Sequence, residues 1–189
     1  MKKRFHKVIG ILMTVLLTAT MIPILPVAAA SHESIRNSVM DVLYGGKSGG
    51  SLLCDYHGSG YNGIHEGVDY QLKEGTPIYS IADGTVTRVT NSTSDYVLST
   101  LAIYNSDVNI TVVYLHSNAI TVKVGDHIKR GDRIAEEGKH GNKIKITPHT
   151  HIELRYGKQT SATKSLGDNT ASNPDPYPLY EKLGYPLKK

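Results

Sequence analysis

The chain has 189 residues, which is one domain plus whatever its ends contribute, and it carries 21 Lys and Arg against 17 Asp and Glu. Four of those basic residues, Lys2, Lys3, Arg4 and Lys7, lie within residues 1–30, which hold no acidic residue, so the remainder is formally neutral with 17 of each sign. This balance excludes net charge as an argument for a nucleic-acid partner, and no basic patch interleaved with aromatics is present, so none is expected.

The basic start runs into an uncharged, mostly apolar stretch from Val8 to Val27 that ends in Ala28-Ala29-Ala30. This predicts a secretory signal over residues 1–30, cleaved near Ala30, and a location outside the cell or in its envelope. An uncleaved anchor is the alternative, since a span needs about 20 apolar residues, but Pro23 and Pro26 break the far end of the run. Cys54 is the only cysteine, so no internal disulfide forms, and a lone thiol is expected to pack like a small hydrophobe. Ile35, Val39, Val42 and Leu43 share one face of a short helix over Ser34–Leu43, which Gly45-Gly46 stops. Residues 44–63, rich in Gly, Ser and Tyr, read as loop with one strand at Ser51–Tyr56.

From Gly75 the pattern is β throughout. Thr76–Ile81 and Thr85–Thr90 flank an Asp83-Gly84 turn and predict a hairpin. Leu98–Tyr104 and Asn109–Leu115 predict a second antiparallel pair. Short strands follow at Ile120–Val124, Ile128 and Arg133–Ala135, between the Gly125-Asp126 and Gly131-Asp132 turns. The last 30 residues read as loop and tail. The fold class is therefore all-β: a compact antiparallel sheet or small barrel-like core over residues 63–157, with a loop-rich segment at 31–62 before it and a tail at 158–189 behind it.

Four of the eight histidines beyond residue 30 fall into three neighbourhoods: Gly63-Ile64-His65-Glu66-Gly67-Val68-Asp69-Tyr70, Val113-Tyr114-Leu115-His116-Ser117, and Pro148-His149-Thr150-His151-Ile152-Glu153-Leu154. On a strand, residues two apart share a face, so His149, His151 and Glu153 line one surface while Thr150, Ile152 and Leu154 pack behind. Histidine nitrogen and carboxylate oxygen are zinc donors, and a catalytic zinc takes three protein ligands and keeps one open position. His65, Asp69 and one histidine of the His149/His151 pair would supply such a set. Singly, each residue has an ordinary explanation: a surface or core histidine, or a turn aspartate. Together in one small β domain they point to a metal centre.

These residues resemble the lysostaphin/LytM-type zinc endopeptidases, which cleave peptidoglycan peptides. The family's His-x-x-x-Asp motif, its strand-end histidine and its His-x-His motif appear here as His65 to Asp69, His116, and His149-Thr150-His151. Gly75-Thr76-Pro77-Ile78 through Val86, and Val122 through Ala135, resemble its intervening stretches, so the likeness covers residues 60–157. The resemblance implies one Zn2+ per chain held by His65, Asp69 and His151. It implies catalytic roles for His116 and His149 without ligation, a peptidoglycan substrate, and a monomer with no stable membrane partner. Thr147-Pro148 stands where the family often has Gly-Pro, Thr150 and Ile152 stand where it often has Phe or Leu, and Lys143, Lys145 and His140 make the preceding loop more basic. These departures bear on substrate preference and remove no ligand.

Besides a lipoyl-type carrier, which the Val124-Gly125-Asp126 to Gly131-Asp132 stretch suggests but for which the chain lacks an evident modifiable lysine at a strand-joining turn, two other readings compete. In one, His65-Glu66-x-x-Asp69 is a helical zinc motif with Glu66 as the base, which needs a helix that Gly63, Gly67 and Gly75 oppose. In the other, the chain is a catalytically silent cell-wall or partner-binding module of the same fold. Glu153 is either an orienting carboxylate behind an imidazole or a surface residue. For Cys54 and His57 ordinary packing or exposure is expected, the alternative being a segment 31–62 that covers the site.

Overall fold

Residues 30–58, 64–94, 96–141, 147–163 and 173–187 are described by the structure, a computed structural model of the chain. The predicted signal lies outside these residues up to position 29, as do Lys143 and Lys145 of the basic loop. Among the described residues no helix is long and apolar enough to cross a membrane.

In chain order the elements are α1 (His32–Leu43), β1 (Ser51–Cys54), β2 (Val68–Gln71), β3 (Pro77–Tyr79), β4 (Gly84–Thr90), β5 (Thr100–Asn105), β6 (Ile110–Leu115), β7 (His127–Ile128), β8 (Arg133–Glu136), β9 (Thr150–Tyr156) and α2 (Pro176–Lys182). Helix α1 begins two residues before the apolar stripe predicts, because Ser31 Oγ accepts from Ser34 N at 3.1 Å and caps it. Its buried residues, Ile35, Val39 and Leu43, are those of the predicted face.

Seven strands form one antiparallel sheet in the order β1-β2-β9-β6-β5-β4-β7, and β3 pairs with β8 in a second, two-stranded sheet. The all-β expectation holds, with the large sheet open between edges β1 and β7. The β5–β6 pair forms as the sequence predicts, joining Thr100↔Leu115 through Asn105↔Ile110.

Three expectations are corrected. Pro77–Tyr79 and Gly84–Thr90 do not make a hairpin, since the first strand pairs with β8 and the second with β5 and β7. Between them the chain crosses from one sheet to the other. Ser80 exchanges backbone hydrogen bonds with Asp132 and Gly131, and Ile81 N donates to the Tyr114 hydroxyl at 2.9 Å. Ile120–Val124 forms no strand; Thr121 N reaches Ile134 O, but no ladder continues. The tail is not all loop: Asp175 accepts from Tyr177 N at 3.0 Å, Pro176 opens helix α2, and Tyr177, Leu179 and Tyr180 are buried.

The two faces of the large sheet carry different interiors. One face, with Val68, Tyr70, Leu101, Ile103, Val112, Tyr114, Ile152 and Leu154, packs with α1 and α2 into the main hydrophobic core. The other buries only Ala102, Val113 and Leu115 as apolar residues, with Leu98 and Ala162 against them. The site stands on this second face.

Candidate metal centre

Strand register assembles the site. Thr100, Leu115, His151, Asp69 and Cys54 are successive partners across β5, β6, β9, β2 and β1, so they form one row on one face. Ala102, Val113 and Glu153 form the next row. Directly opposed residues on neighbouring strands have Cβ atoms about 5 Å apart, which brings the Asp69 carboxylate to the His151 ring. His65 arrives from the irregular residues just before β2. The chain passes so close to β9 there that a Cβ on Gly67 would meet the Ile152 carbonyl and lie 2.8 Å from His151 Nε2. Only glycine allows that approach.

Asp69 Oδ1 lies 3.0 Å from His65 Nε2 and 2.8 Å from His151 Nδ1, and the two nitrogens are 2.9 Å apart. What surrounds these rings fixes where their protons sit. His65 Nδ1 is 2.9 Å from the Asp55 carbonyl, which can only accept, so this nitrogen donates and Nε2 of the neutral ring presents a lone pair. His151 Nε2 faces Glu153 Oε1 at 3.3 Å, so it likewise donates outward and Nδ1 is the nitrogen turned inward. Two imidazole nitrogens and a carboxylate oxygen thus converge on one point, and they offer three lone pairs once the His151 Nδ1 proton is displaced. Asp69 is wholly buried, and its second oxygen, Oδ2, accepts no hydrogen bond among the described residues. A convergent set of two nitrogens and one oxygen, with an orphaned buried carboxylate oxygen beside it, fits a divalent cation of the zinc type.

His116 and His149 stand beside this triangle, with ring centroids 4.6 Å apart. His149 Nδ1 donates to the Thr147 carbonyl at 2.8 Å, and His116 Nδ1 donates to the His140 carbonyl at 2.9 Å. Each neutral ring therefore carries its lone pair on Nε2, and that of His149 lies 3.7 Å from Asp69 Oδ2. His116 follows β6 in the left-handed region, at φ 68°, a conformation uncommon for a residue with a side chain. Its carbonyl accepts from His140 N, so residues 116 and 140 hold each other in both directions. A Cβ on Gly138 would collide with that carbonyl.

Burial, reinforced by the neighbouring His149 and His151, pulls His116 down to about 3. Burial also lowers His149, against the pull of Asp69. Both rings are therefore neutral at ordinary pH and able to accept a proton. Burial likewise pulls His151 down, but its hydrogen bonds with Asp69 and Glu153 prevail and push it up to about 10 in the metal-free protein. A cation among the donors takes the place of that proton. Asp69 is held well below the carboxylate range because bonds from His151 and His65 outweigh its burial.

The structure thus brings together all five residues expected from the sequence: His65, Asp69, His116, His149 and His151. It settles two open readings. Glu153 is buried behind His151, and its Oε2 is fixed by Thr163 N and Asn173 Nδ2 at 2.9 and 2.7 Å. Glu66 is not on a helix and faces away, its carboxylate accepting from Asn173 N at 2.7 Å, so the helical zinc motif is excluded. The sequence reading missed Glu137, which is wholly buried under the His-x-His strand and accepts from Thr150 Oγ1 at 2.6 Å and Leu72 N at 3.0 Å. Its burial pushes it up to about 7. It also missed the carbonyls of Asp55, His140 and Thr147, which orient three of the four rings. Residue type carries no signal for a carbonyl's direction. Asn173 did have one, standing just before the Asp175-Pro176 helix start.

Comparison with known proteins agrees with this geometry. The family model described as Peptidase family M23 matches residues 63–163. The glycyl-glycine endopeptidase ALE-1 of Staphylococcus capitis is 31% identical over 125 residues, 65% of this chain and 31% of its own. The peptidoglycan DD-endopeptidase ShyA of Vibrio cholerae is 36% identical over 103 residues, 53% of this chain and 23% of its own. The solved structure of LytU aligns with a TM-score of 0.51 at 31% identity, covering 70% of this chain and 83% of that one. The chain spans less than a third of the length of the curated relatives it matches, from 18% to 31%. The match covers more than half of the sequence and all five of His65, Asp69, His116, His149 and His151, and the chain belongs to peptidase family M23.

Proposed function

We propose that this protein is a zinc metalloendopeptidase that hydrolyses peptide bonds in bacterial peptidoglycan. His65, Asp69 and His151 hold a single Zn2+, and His116 and His149 handle protons beside it. The observation that carries the reading is the convergence of two imidazole nitrogens and a carboxylate oxygen on one point next to two neutral imidazoles. Zinc so held supplies Lewis acidity toward a carbonyl oxygen and acidifies water. The protein's own part is positional. The Asp55 carbonyl and the Glu153 carboxylate aim His65 and His151 inward. The His140 and Thr147 carbonyls leave Nε2 of His116 and His149 as the basic nitrogens. One of these accepts the proton of the attacking water; once protonated, it can return that proton to the leaving amine. The other could donate to the developing oxyanion only after taking a proton on its own Nε2, since its Nδ1–H is already given to a backbone carbonyl. The names of the relatives, an endopeptidase for glycyl-glycine bonds and one for peptidoglycan, support a wall peptide as substrate. The leader-like residues 1–30 support action outside the cytoplasm.

The test is zinc content together with release of peptide amines from purified peptidoglycan, using residues 31–189 with and without chelator. One zinc per chain and chelator-sensitive release are expected. Zinc without cleavage of any wall type would reduce the protein to a silent binding module, and no zinc would sink the metal centre itself.

A further inference from the structure

A short segment beneath the metal centre ties its parts together. Glu137 and Gly138 follow β8, and the backbone there is fixed on both sides: Glu137 N donates to the Thr76 carbonyl, and the Glu137 carbonyl accepts from Gly75 N. The Gly138 carbonyl accepts from His149 N at 3.0 Å. Two residues on, His140 exchanges hydrogen bonds with His116 in both directions. One run of four residues thus holds the backbone of His149 and both the ring and the carbonyl of His116.

The Glu137 side chain extends that hold to the strands. Its wholly buried carboxylate receives donors from three parts of the chain. Thr150 Oγ1 donates to Oε2 at 2.6 Å and Leu72 N to Oε1 at 3.0 Å, and the Tyr44 hydroxyl, from the C-cap of α1, reaches both oxygens at 3.2 and 3.3 Å. Thr150 is the middle residue of His149-Thr150-His151, and Leu72 stands three residues after Asp69. Burial opposes the charged form of a carboxylate, and an apolar side chain filling the same space would carry no such cost. What the carboxylate supplies instead is direction, because each hydrogen bond fixes a distance and an angle that an apolar contact leaves free.

We infer that Glu137 is a positioning residue for the hydrolysis: bonded to Thr150 from beneath and followed by the Gly138 carbonyl, it fixes His149 against His116, with 4.6 Å between the ring centroids. This rests on the reading that His116 and His149 handle protons beside a zinc. Proton transfer needs its heavy atoms within hydrogen-bond reach, and a displacement of about 1 Å caused by a change remote from the chemistry can cost on the order of 10^2-fold in rate. The hydrogen bonds of the Glu137 side chain go to none of the three metal donors, so its loss slows the reaction and leaves the metal in place.

The experiment compares the zinc-loaded protein with Glu137→Met, Thr150→Val, their combination, and the conservative Glu137→Gln and Thr150→Ser. Thr150→Val deletes only the hydroxyl and leaves the carboxylate its other two donors, so it decides the matter should Glu137→Met fail to fold. Each single variant should keep one zinc per chain and an unchanged KM for a peptidoglycan fragment, while kcat falls by about 10–100-fold. The double variant should be no worse than the poorer single one, since the two groups act as a unit. Glu137→Gln can still accept from Leu72 N and donate to Thr150 Oγ1, and Thr150→Ser keeps the hydroxyl, so both should stay within a few-fold of wild type. Without any turnover, the nuclear Overhauser contact between the His116 and His149 rings should weaken in Thr150→Val and return in Thr150→Ser. Wild-type kcat and ring contact in folded Thr150→Val would overturn the assignment and leave the zinc reading intact. A fall in kcat that follows loss of zinc would overturn it too, by making Glu137 a support of the metal. Should wild type bind no zinc or cleave no wall type, the reading beneath it falls, and the ring contact alone decides whether Glu137 positions the two imidazoles.

Discussion

The two faces of the β2–β9–β6 region share the same three backbones and have little else in common. On one face Val68, Tyr70, Tyr114, Ile152 and Leu154 are wholly or almost wholly buried among other apolar groups. Each aliphatic side chain among them contributes about 1.5–3 kcal/mol by leaving water and depends on no particular partner; the Tyr114 hydroxyl, to which Ile81 N donates, is the exception. On the other face Asp69, His151 and Glu153 are nearly as buried, yet burial alone opposes their charged forms, so each is held by the next. The apolar face tolerates exchange of volume. The polar face is a chain of obligations in which one missing member leaves its neighbours unsatisfied.

The sharpest break in that comparison comes from removing a donor. His65→Ala or His151→Ala should abolish stoichiometric zinc, measured by metal analysis, and lower peptidoglycan cleavage by about 10^3-fold or more, corresponding to the several kcal/mol a metal Lewis acid supplies. Next come the two imidazoles beside the triangle. His116→Ala and His149→Ala should retain one zinc per chain but lose about 10^2–10^4-fold in turnover, the usual worth of a positioned acid or base. Loss of zinc from either variant would move that residue into the ligand set. Glu153→Gln keeps the shape and removes the charge behind His151. It should weaken zinc binding about 10–100-fold in a chelator titration while the fold, followed by circular dichroism, stays intact.

A separate effect, on stability and not on the metal, lies beneath the site. Glu137 is raised from 4.5 to about 7 by burial, so its contribution to stability is fully present below about pH 4.5 and is lost as pH rises through 7. Glu137→Gln should therefore flatten the fall in denaturant stability between those pH values, by an amount on the order of 3 kcal/mol. A variant with the wild-type slope would show that Thr150, Leu72 and Tyr44 keep the carboxylate ionised despite its burial.

What the sequence displayed follows the same division. The period of two in His149-Thr150-His151-Ile152-Glu153 puts imidazoles and aliphatics on opposite faces, and the ladder bears this out residue by residue. His65-x-x-x-Asp69 was legible as a pair, though its spacing suggests a helix as readily as the irregular approach to β2 that forms. Strand partnership was less legible. Pro77–Tyr79 reads as half of a hairpin because its Asp83-Gly84 turn is local, whereas its true partner, Arg133–Glu136, is set by packing far along the chain. Asp175-Pro176 marked a helix start inside a stretch that looked like tail, its proline-rich composition masking the cap. The direction of the Asp55 carbonyl depends on where the chain turns after β1, and no pattern of side chains encodes it.

Asp55 also makes the site a reporter on the helices. Its carboxylate holds Arg36 of α1 and Tyr177 of α2, while its carbonyl orients His65. Ligand binding and folding are linked reciprocally, so whatever ordered helix docking adds to metal affinity, bound metal returns to the docking of the helices. Metal release on heating should then coincide with detachment of α1 and α2 rather than wait for the sheet to melt.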